Sequence, residues 1–63
     1  MTSILAQNSR IATVAELNAT FNLNGVKAEA KQDGQFIEIE VARADDTGVA
    51  EFLTRKSGFK VLD

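Results

Sequence analysis

Apolar and polar residues alternate along two neighbouring stretches of the chain, and Asp33-Gly34 lies between them in VKAEAKQDGQFIEIEVAR. This alternation predicts two β-strands, and an Asp-Gly pair suits a two-residue type I′ turn. Counting outward from the turn gives one apolar face, with the pairs Ala30–Ile37, Ala28–Ile39 and Val26–Val41. We therefore expect a hairpin that packs this face against helices.

The opposite face of the hairpin is predicted to be mostly charged. The same register gives the pairs Lys31–Phe36, Glu29–Glu38 and Lys27–Glu40. Carboxylate oxygens are ligands that calcium and magnesium prefer, but the interleaved lysines favour a solvated, salt-bridged face. We expect no metal site here.

Helical spacing appears on either side of the hairpin. TVAELNATFNLNG has a capping box of Thr13 and Glu16, ends at Gly25, and has the predicted buried stripe Val14, Leu17 and Phe21. Ser9 offers an earlier cap, which would bring Ile11 onto the same stripe.

DDTGVAEFLTRKSG predicts a second helix that ends at Gly58. Its cap candidates are Asp45, Asp46 and Thr47. Its predicted buried stripe is Val49, Phe52 and Leu53, and cations in its last turn suit the helix dipole.

Two further strands complete the predicted fold. FKVLD alternates from Phe59 to Val61, and TSILAQ supplies a first strand if Ile4 to Ala6 are extended. Right-handed crossovers then give one α+β domain over residues 1–63, a small ferredoxin-like β-α-β-β-α-β sandwich. Its four-stranded antiparallel sheet would carry both helices on one face. Without the first strand the order would be α-β-β-α-β, and the sequence leaves this alternative open.

Composition limits how so short a chain is stabilised. A domain of 63 residues buries a smaller fraction of its surface than a larger one. The chain has no cysteine and no histidine, which excludes disulfides and the usual zinc sites. Self-association is the stabilising device left to it. The sequence shows neither a membrane span nor a signal peptide, so we expect a cytoplasmic protein with no membrane partner.

Charge argues against nucleic acid as the partner. Seven basic and nine acidic residues give a net charge of −2, whereas nucleic-acid-binding domains are usually basic. An RNA-recognition domain has the same element order and stacks bases on open-face aromatics, but Glu38 and Glu40 follow Phe36 on that face. Nucleic acid stays an alternative through a possible basic patch of Arg55, Lys56 and Lys60.

NLNGV at the end of the first helix, the hairpin VKAEAKQDGQFIEIEV and the run into RKSGFKVLD together resemble an ACT-type regulatory domain over roughly residues 13–63. The resemblance implies a noncatalytic module that often dimerises and binds amino acids near a glycine between strand 1 and helix 1. This chain has NSRIAT there, with no glycine or proline. The resemblance nevertheless makes an amino-acid-binding regulator a second alternative for the function of this chain.

Asp46-Thr47-Gly48 matches the tripeptide that carries the catalytic aspartate of aspartic proteases. Such a protease needs two of these loops, whose carboxylates share a proton. Here the tripeptide opens a helical pattern, where a cap and a first-turn residue explain it. The serines have no histidine to activate them, and no phosphate-binding glycine motif is present. We expect neither an enzyme nor a cofactor.

The function that these observations favour is a noncatalytic protein-interaction or regulatory module, such as a small inhibitor of the phage type. We expect it to act through the open sheet face, as a homodimer or against another protein. The apolar residues left on that face are Leu5, Phe36 and Leu62. Its charged residues include Lys27, Lys31, Glu38 and Glu40.

Replacement of Asp46 by asparagine tests the expectation that the chain is not an aspartic protease. Asp46→Asn should change the free energy of unfolding by less than about 0.5 kcal/mol, because asparagine caps a helix about as well as aspartate. Thermal melts and a peptidase assay measure both properties. Peptidase activity in the wild type that disappears in Asp46→Asn would show instead that the chain is a protease with Asp46 as a catalytic residue.

Overall fold

The computed structural model describes residues 2–9 and 11–62, so Met1, Arg10 and Asp63 of the predicted domain lie outside the described residues. In this part of the chain, the elements are β1 Thr2–Gln7, α1 Val14–Leu23, β2 Ala28–Asp33, β3 Phe36–Val41, α2 Thr47–Lys56 and β4 Lys60–Val61. The strands form an antiparallel sheet in the spatial order β2-β3-β1-β4. The predicted α+β domain, with a four-stranded antiparallel sheet and two helices, is confirmed, and the first strand is present.

The core lies between one face of the sheet and the two helices. Strand alternation sends every second residue to this face, so β3 buries Ile37, Ile39 and Val41. The other core residues are Ile4 and Ala6 of β1, Leu17 and Phe21 of α1, Ala30 of β2, Ala50 and Leu53 of α2, and Val26 and Phe59, which lie just before β2 and β4. Burying each large apolar side chain stabilises the fold by about 1.5–3 kcal/mol.

No helix of the described chain is long and apolar enough to cross a membrane.

The predicted hairpin is present, but its turn lies one residue later than expected. Gly34 and Gln35 form the loop, and the pairs include Asp33–Phe36, Lys31–Glu38, Ala30–Ile39, Glu29–Glu40 and Ala28–Val41. Gly34 has a φ of +63°, and the described residues with positive φ are all glycines. This suits a type II′ turn, which needs a positive φ only at its first central residue. A type I′ turn at Asp33-Gly34 would require a positive φ at Asp33 as well.

The register prediction was therefore wrong by two residues. Because a shift of two is even, every side chain still lies on the face that was predicted for it. Ile37, Ile39 and Val41 face the helices, and Glu38 and Glu40 point the other way.

Helix α1 begins as predicted. The Thr13 N–H donates to Glu16 Oε1 at 2.9 Å, and the Glu16 N–H donates to Thr13 Oγ1 at 3.2 Å, which completes the capping box. The earlier cap at Ser9 was wrong. Ser9 Oγ does accept from the N–H groups of Ile11 and Ala12, but the helix starts later and Ile11 is 78% exposed.

Helix α2 is rotated relative to the prediction. Its buried residues are Ala50, Leu53 and Thr54, whereas Val49 and Phe52 are 46% and 60% exposed. The small Ala50 side chain allows the helix to approach the sheet closely. Thr54 satisfies its buried hydroxyl by donating to the Ala50 carbonyl at 2.7 Å. The predicted stripe was wrong at Val49 and Phe52 and right at Leu53.

Asn18 covers the middle of the outer edge of β2. Its Oδ1 accepts from the Ala30 N–H at 2.7 Å, and its Nδ2 donates to the Ala30 carbonyl at 3.1 Å. Because both groups of Ala30 are bonded in this way, the amide of Asn18 stands where a neighbouring strand would pair. Edge strands left unpaired are sites of unwanted association, and this contact protects β2 from it.

We expect Asn18→Ala to lower the free energy of unfolding by about 1–3 kcal/mol, because Ala30 loses the partners of both backbone groups. Asn22→Ala is a matched control, since Asn22 is exposed on the same helix and alanine is the better helix former. Urea unfolding measures the difference, and amide exchange at Ala30 should accelerate only in Asn18→Ala. Equal stability of the two variants would contradict the role given to Asn18.

Candidate interaction surface

The sheet face turned away from the helices is the predicted interaction surface, called the open face below. Its members are Ser3, Leu5 and Gln7 of β1, Glu29, Lys31 and Asp33 of β2, Phe36, Glu38 and Glu40 of β3, and Lys60 and Leu62 at β4. Leu62 follows β4 directly and donates its N–H to the Leu5 carbonyl at 2.8 Å. The open face therefore extends across all four strands.

Three apolar residues lie at neighbouring positions of the open face, with Leu5 between the other two. Leu5 lies between Glu38 of β3 and Leu62 beyond β4. Phe36 pairs with Gln7 and so lies diagonal to Leu5, a separation that an aromatic side chain can reach. Leu5 is 45% exposed, and the other two are half-buried. Leu5 is thus near the middle of the face, and Phe36 is at its hairpin end.

Carboxylates dominate the half of the open face formed by β2 and β3. Lys31 Nζ lies 3.4 Å from Glu29 Oε1. Glu29 lies opposite Glu40, rather than opposite Glu38 as predicted. Among the described residues, Glu38 and Glu40 have no cation within salt-bridge distance. Glu38 lies opposite Lys31, so the opposed like charges are Glu29 and Glu40. Such a pair destabilises a sheet, and a cation from outside the chain would relieve this repulsion.

Lys27 lies at the far end of the hairpin, where its carbonyl accepts from the Ala42 N–H at 2.9 Å. With Glu29 and Glu40 it lines an open cleft of about 320 Å³. Small-molecule sites are usually enclosed and mostly apolar, whereas this cleft mixes one cation with two carboxylates. We interpret this cleft as part of the charged rim of the open face.

The predicted basic patch is divided between two sides of the molecule. Arg55 and Lys56 lie in the last turn of α2, on the helical side. Lys60 pairs with Gln7 and lies on the open face. The structure therefore does not bring the three cations together.

A second apolar surface, which the sequence did not identify, lies on the outer side of α2. Val49 and Phe52 are one turn apart, and Lys56 Nζ lies 5.9 Å from the centre of the Phe52 ring. Arg55 is exposed in the same turn. These four residues are called the α2 stripe below. The apolar residues of α2 are compatible with two orientations of the helix about its own axis, so the sequence did not predict this surface.

A cleft of about 410 Å³ lies beside the connection from β1 to α1, where an ACT-type domain would bind a ligand. Its polar side chains already bond within the protein. Gln32 Nε2 donates to Asn8 Oδ1 at 2.7 Å and to the Gly34 carbonyl at 2.6 Å. Ser9 Oγ donates to the Ser57 carbonyl at 3.2 Å. A ligand would have to replace these bonds, which disfavours the cleft as a binding site.

Asp46 and Thr47 lie where helix α2 begins. Asp46 ends a short 3-10 turn, Ala44–Asp46, and occupies the N-cap position, but its side chain makes no capping bond. The expected cap is right in position and wrong in its hydrogen bond. Thr47 Oγ1 is buried and has no partner among the described residues.

Comparison of the chain with protein-family models, with curated proteins and with solved structures gives no match.

We expect no binding of single-stranded RNA or DNA near physiological salt, because the cations are divided and carboxylates lie beside Phe36. Fluorescence anisotropy of a labelled oligonucleotide, titrated with the chain, measures this. Salt-sensitive micromolar binding that is lost in the double variant Arg55→Ala, Lys56→Ala would instead favour nucleic acid as the partner.

Proposed function

We propose that the chain is a noncatalytic protein-interaction module that binds a partner protein through the open face. The observation that supports this proposal is that Leu5 lies between Leu62 and Glu38, with Phe36 at the diagonal position. Both helices pack on the other side of the sheet, so these apolar groups are accessible. An interface of standard size buries about 800 Å² per partner, about a fifth of the 4131 Å² accessible surface, and one sheet face is suited to that.

The charges of the open face indicate the chemistry of the partner. Glu38 and Glu40 carry no ion pair among the described residues, and Glu40 also lies opposite Glu29. An arginine or lysine of the partner would relieve this repulsion and form charge-assisted hydrogen bonds. The partner surface is therefore an apolar or aromatic anchor flanked by cations.

A regulatory or inhibitory role fits a module of this kind, because binding alone alters the activity of the protein it covers. The absence of histidine and cysteine from the sequence supports a noncatalytic role. The order β2-β3-β1-β4, with a helix in each crossover, supports a ferredoxin-like arrangement. Domains of that kind host many functions, so the proposal depends on the open face rather than on the fold.

Selection from a displayed peptide library tests the proposal. We expect the peptides that bind the immobilised wild-type chain to combine an aromatic or aliphatic residue with arginine or lysine. Binding should fall at least about tenfold on Leu5→Ser and on Glu38→Gln, since a charge-assisted bond or a buried leucine is worth more than about 1.4 kcal/mol.

Phe52→Ser is the matched control, because it removes an apolar side chain that is exposed on the helical side. Binding of the selected peptides should survive this change. Peptides that lose binding on Phe52→Ser but keep it on Leu5→Ser would place the interaction surface on α2 and contradict the proposal.

A further inference from the structure

This chain itself carries a surface with the chemistry that the open face requires. The α2 stripe presents Phe52 as an aromatic anchor, with Lys56 Nζ 5.9 Å from its ring and Arg55 beside it. We propose that the α2 stripe of one copy binds the open face of a second copy, so that the chains associate head to tail. The inference rests on the proposed function, because it names the partner of the open face.

Apolar and charged groups match across this contact. Phe52, with Val49 a turn away, would cover Leu5 and Leu62, which adjoin each other across β1 and β4. Glu38 and Glu40 lie about 7 Å apart along their strand, a spacing that two long cationic side chains in one helical turn can reach. Arg55 and Lys56 would pair with Glu38 and Glu40, which have no ion pair among the described residues, and this complementarity selects a second copy as the occupant.

The same charges disfavour symmetric pairing. Two open faces paired about a two-fold axis near Glu38 and Glu40 would bring these carboxylates together, and two α2 stripes paired about Phe52 would bring Arg55 and Lys56 of both copies together. The two surfaces lie on opposite sides of a molecule whose shortest dimension is 16 Å. A contact between unlike surfaces leaves one of each free after two copies have joined, so association continues beyond a dimer.

Two variants separate the surfaces without disturbing the core. Phe52→Ser removes the anchor of the α2 stripe and leaves the open face intact. The double variant Leu5→Ser, Glu38→Lys disables the open face and leaves the α2 stripe intact. All three side chains are exposed, and circular-dichroism melts verify that both variants are folded.

Sedimentation equilibrium up to about 1 mM protein, where even millimolar affinities are detected, tests the inference. We expect the mass of the wild type to rise beyond two chains with concentration, and to fall back when salt is added. Each variant alone should stay monomeric. An equimolar mixture of the two should form a species of two chains and no larger one, because only one competent pair of surfaces is left.

Other outcomes overturn head-to-tail association. A dimer of Phe52→Ser alone would show that two open faces pair, and a dimer of the double variant alone would show that two α2 stripes pair. A wild type that stays monomeric throughout would exclude association of copies. If library peptides still bind the open face in that case, the proposed function survives and only the identity of the partner is wrong.

Discussion

One-sided burial of strand β3 is the constraint on which the rest of the structure depends. β3 pairs with β2 on one edge and with β1 on the other, and it buries Ile37, Ile39 and Val41 to within 1% of full burial. Side chains alternate along a strand, so this burial holds Glu38 and Glu40 on the open face. Slipping β3 by one residue against both neighbours would bury these carboxylates, whereas a slip by two leaves the faces unchanged.

The same constraint explains what the sequence could and could not predict. The faces of the hairpin were predictable because period two offers only two choices, and one of them buries glutamates. The position of the turn was not predictable in this way, because a turn at Asp33-Gly34 and a turn at Gly34-Gln35 send every hairpin side chain to the same face of the sheet. The observed turn has its positive φ at Gly34 alone, a difference in backbone conformation that the alternation of side chains does not determine. The open-face residues could therefore be named from the sequence, while their neighbours across the sheet could not.

Helix α2 shows a different limit. Its apolar residues are at positions 49, 50, 52 and 53, so they cover too much of the helix to fix its rotation. Side-chain size favoured Val49 and Phe52 as core residues. The sheet instead accepts Ala50 and Thr54, because a small side chain and a hydroxyl bonded to its own helix permit close packing. The α2 stripe is a consequence of that rotation, which only tertiary contacts decide.

Polar side chains link separate elements in this chain, which has no cysteine for disulfides. Asn18 ties α1 to β2, and Ser9 ties the β1–α1 connection to the carbonyl of Ser57 at the end of α2. Gly58 has a φ of +92°, and an added Cβ would lie 2.7 Å from Cγ1 of the exposed Ile11 side chain, so its backbone conformation favours glycine. Each bond contributes about 1 kcal/mol, a sizeable share of the roughly 3–9 kcal/mol expected for a domain of this length. These contacts stabilise the fold without Leu5 and Phe52, which are both exposed. The net charge of −2 describes neither outer side of the molecule, since α2 ends in cations and β3 presents carboxylates.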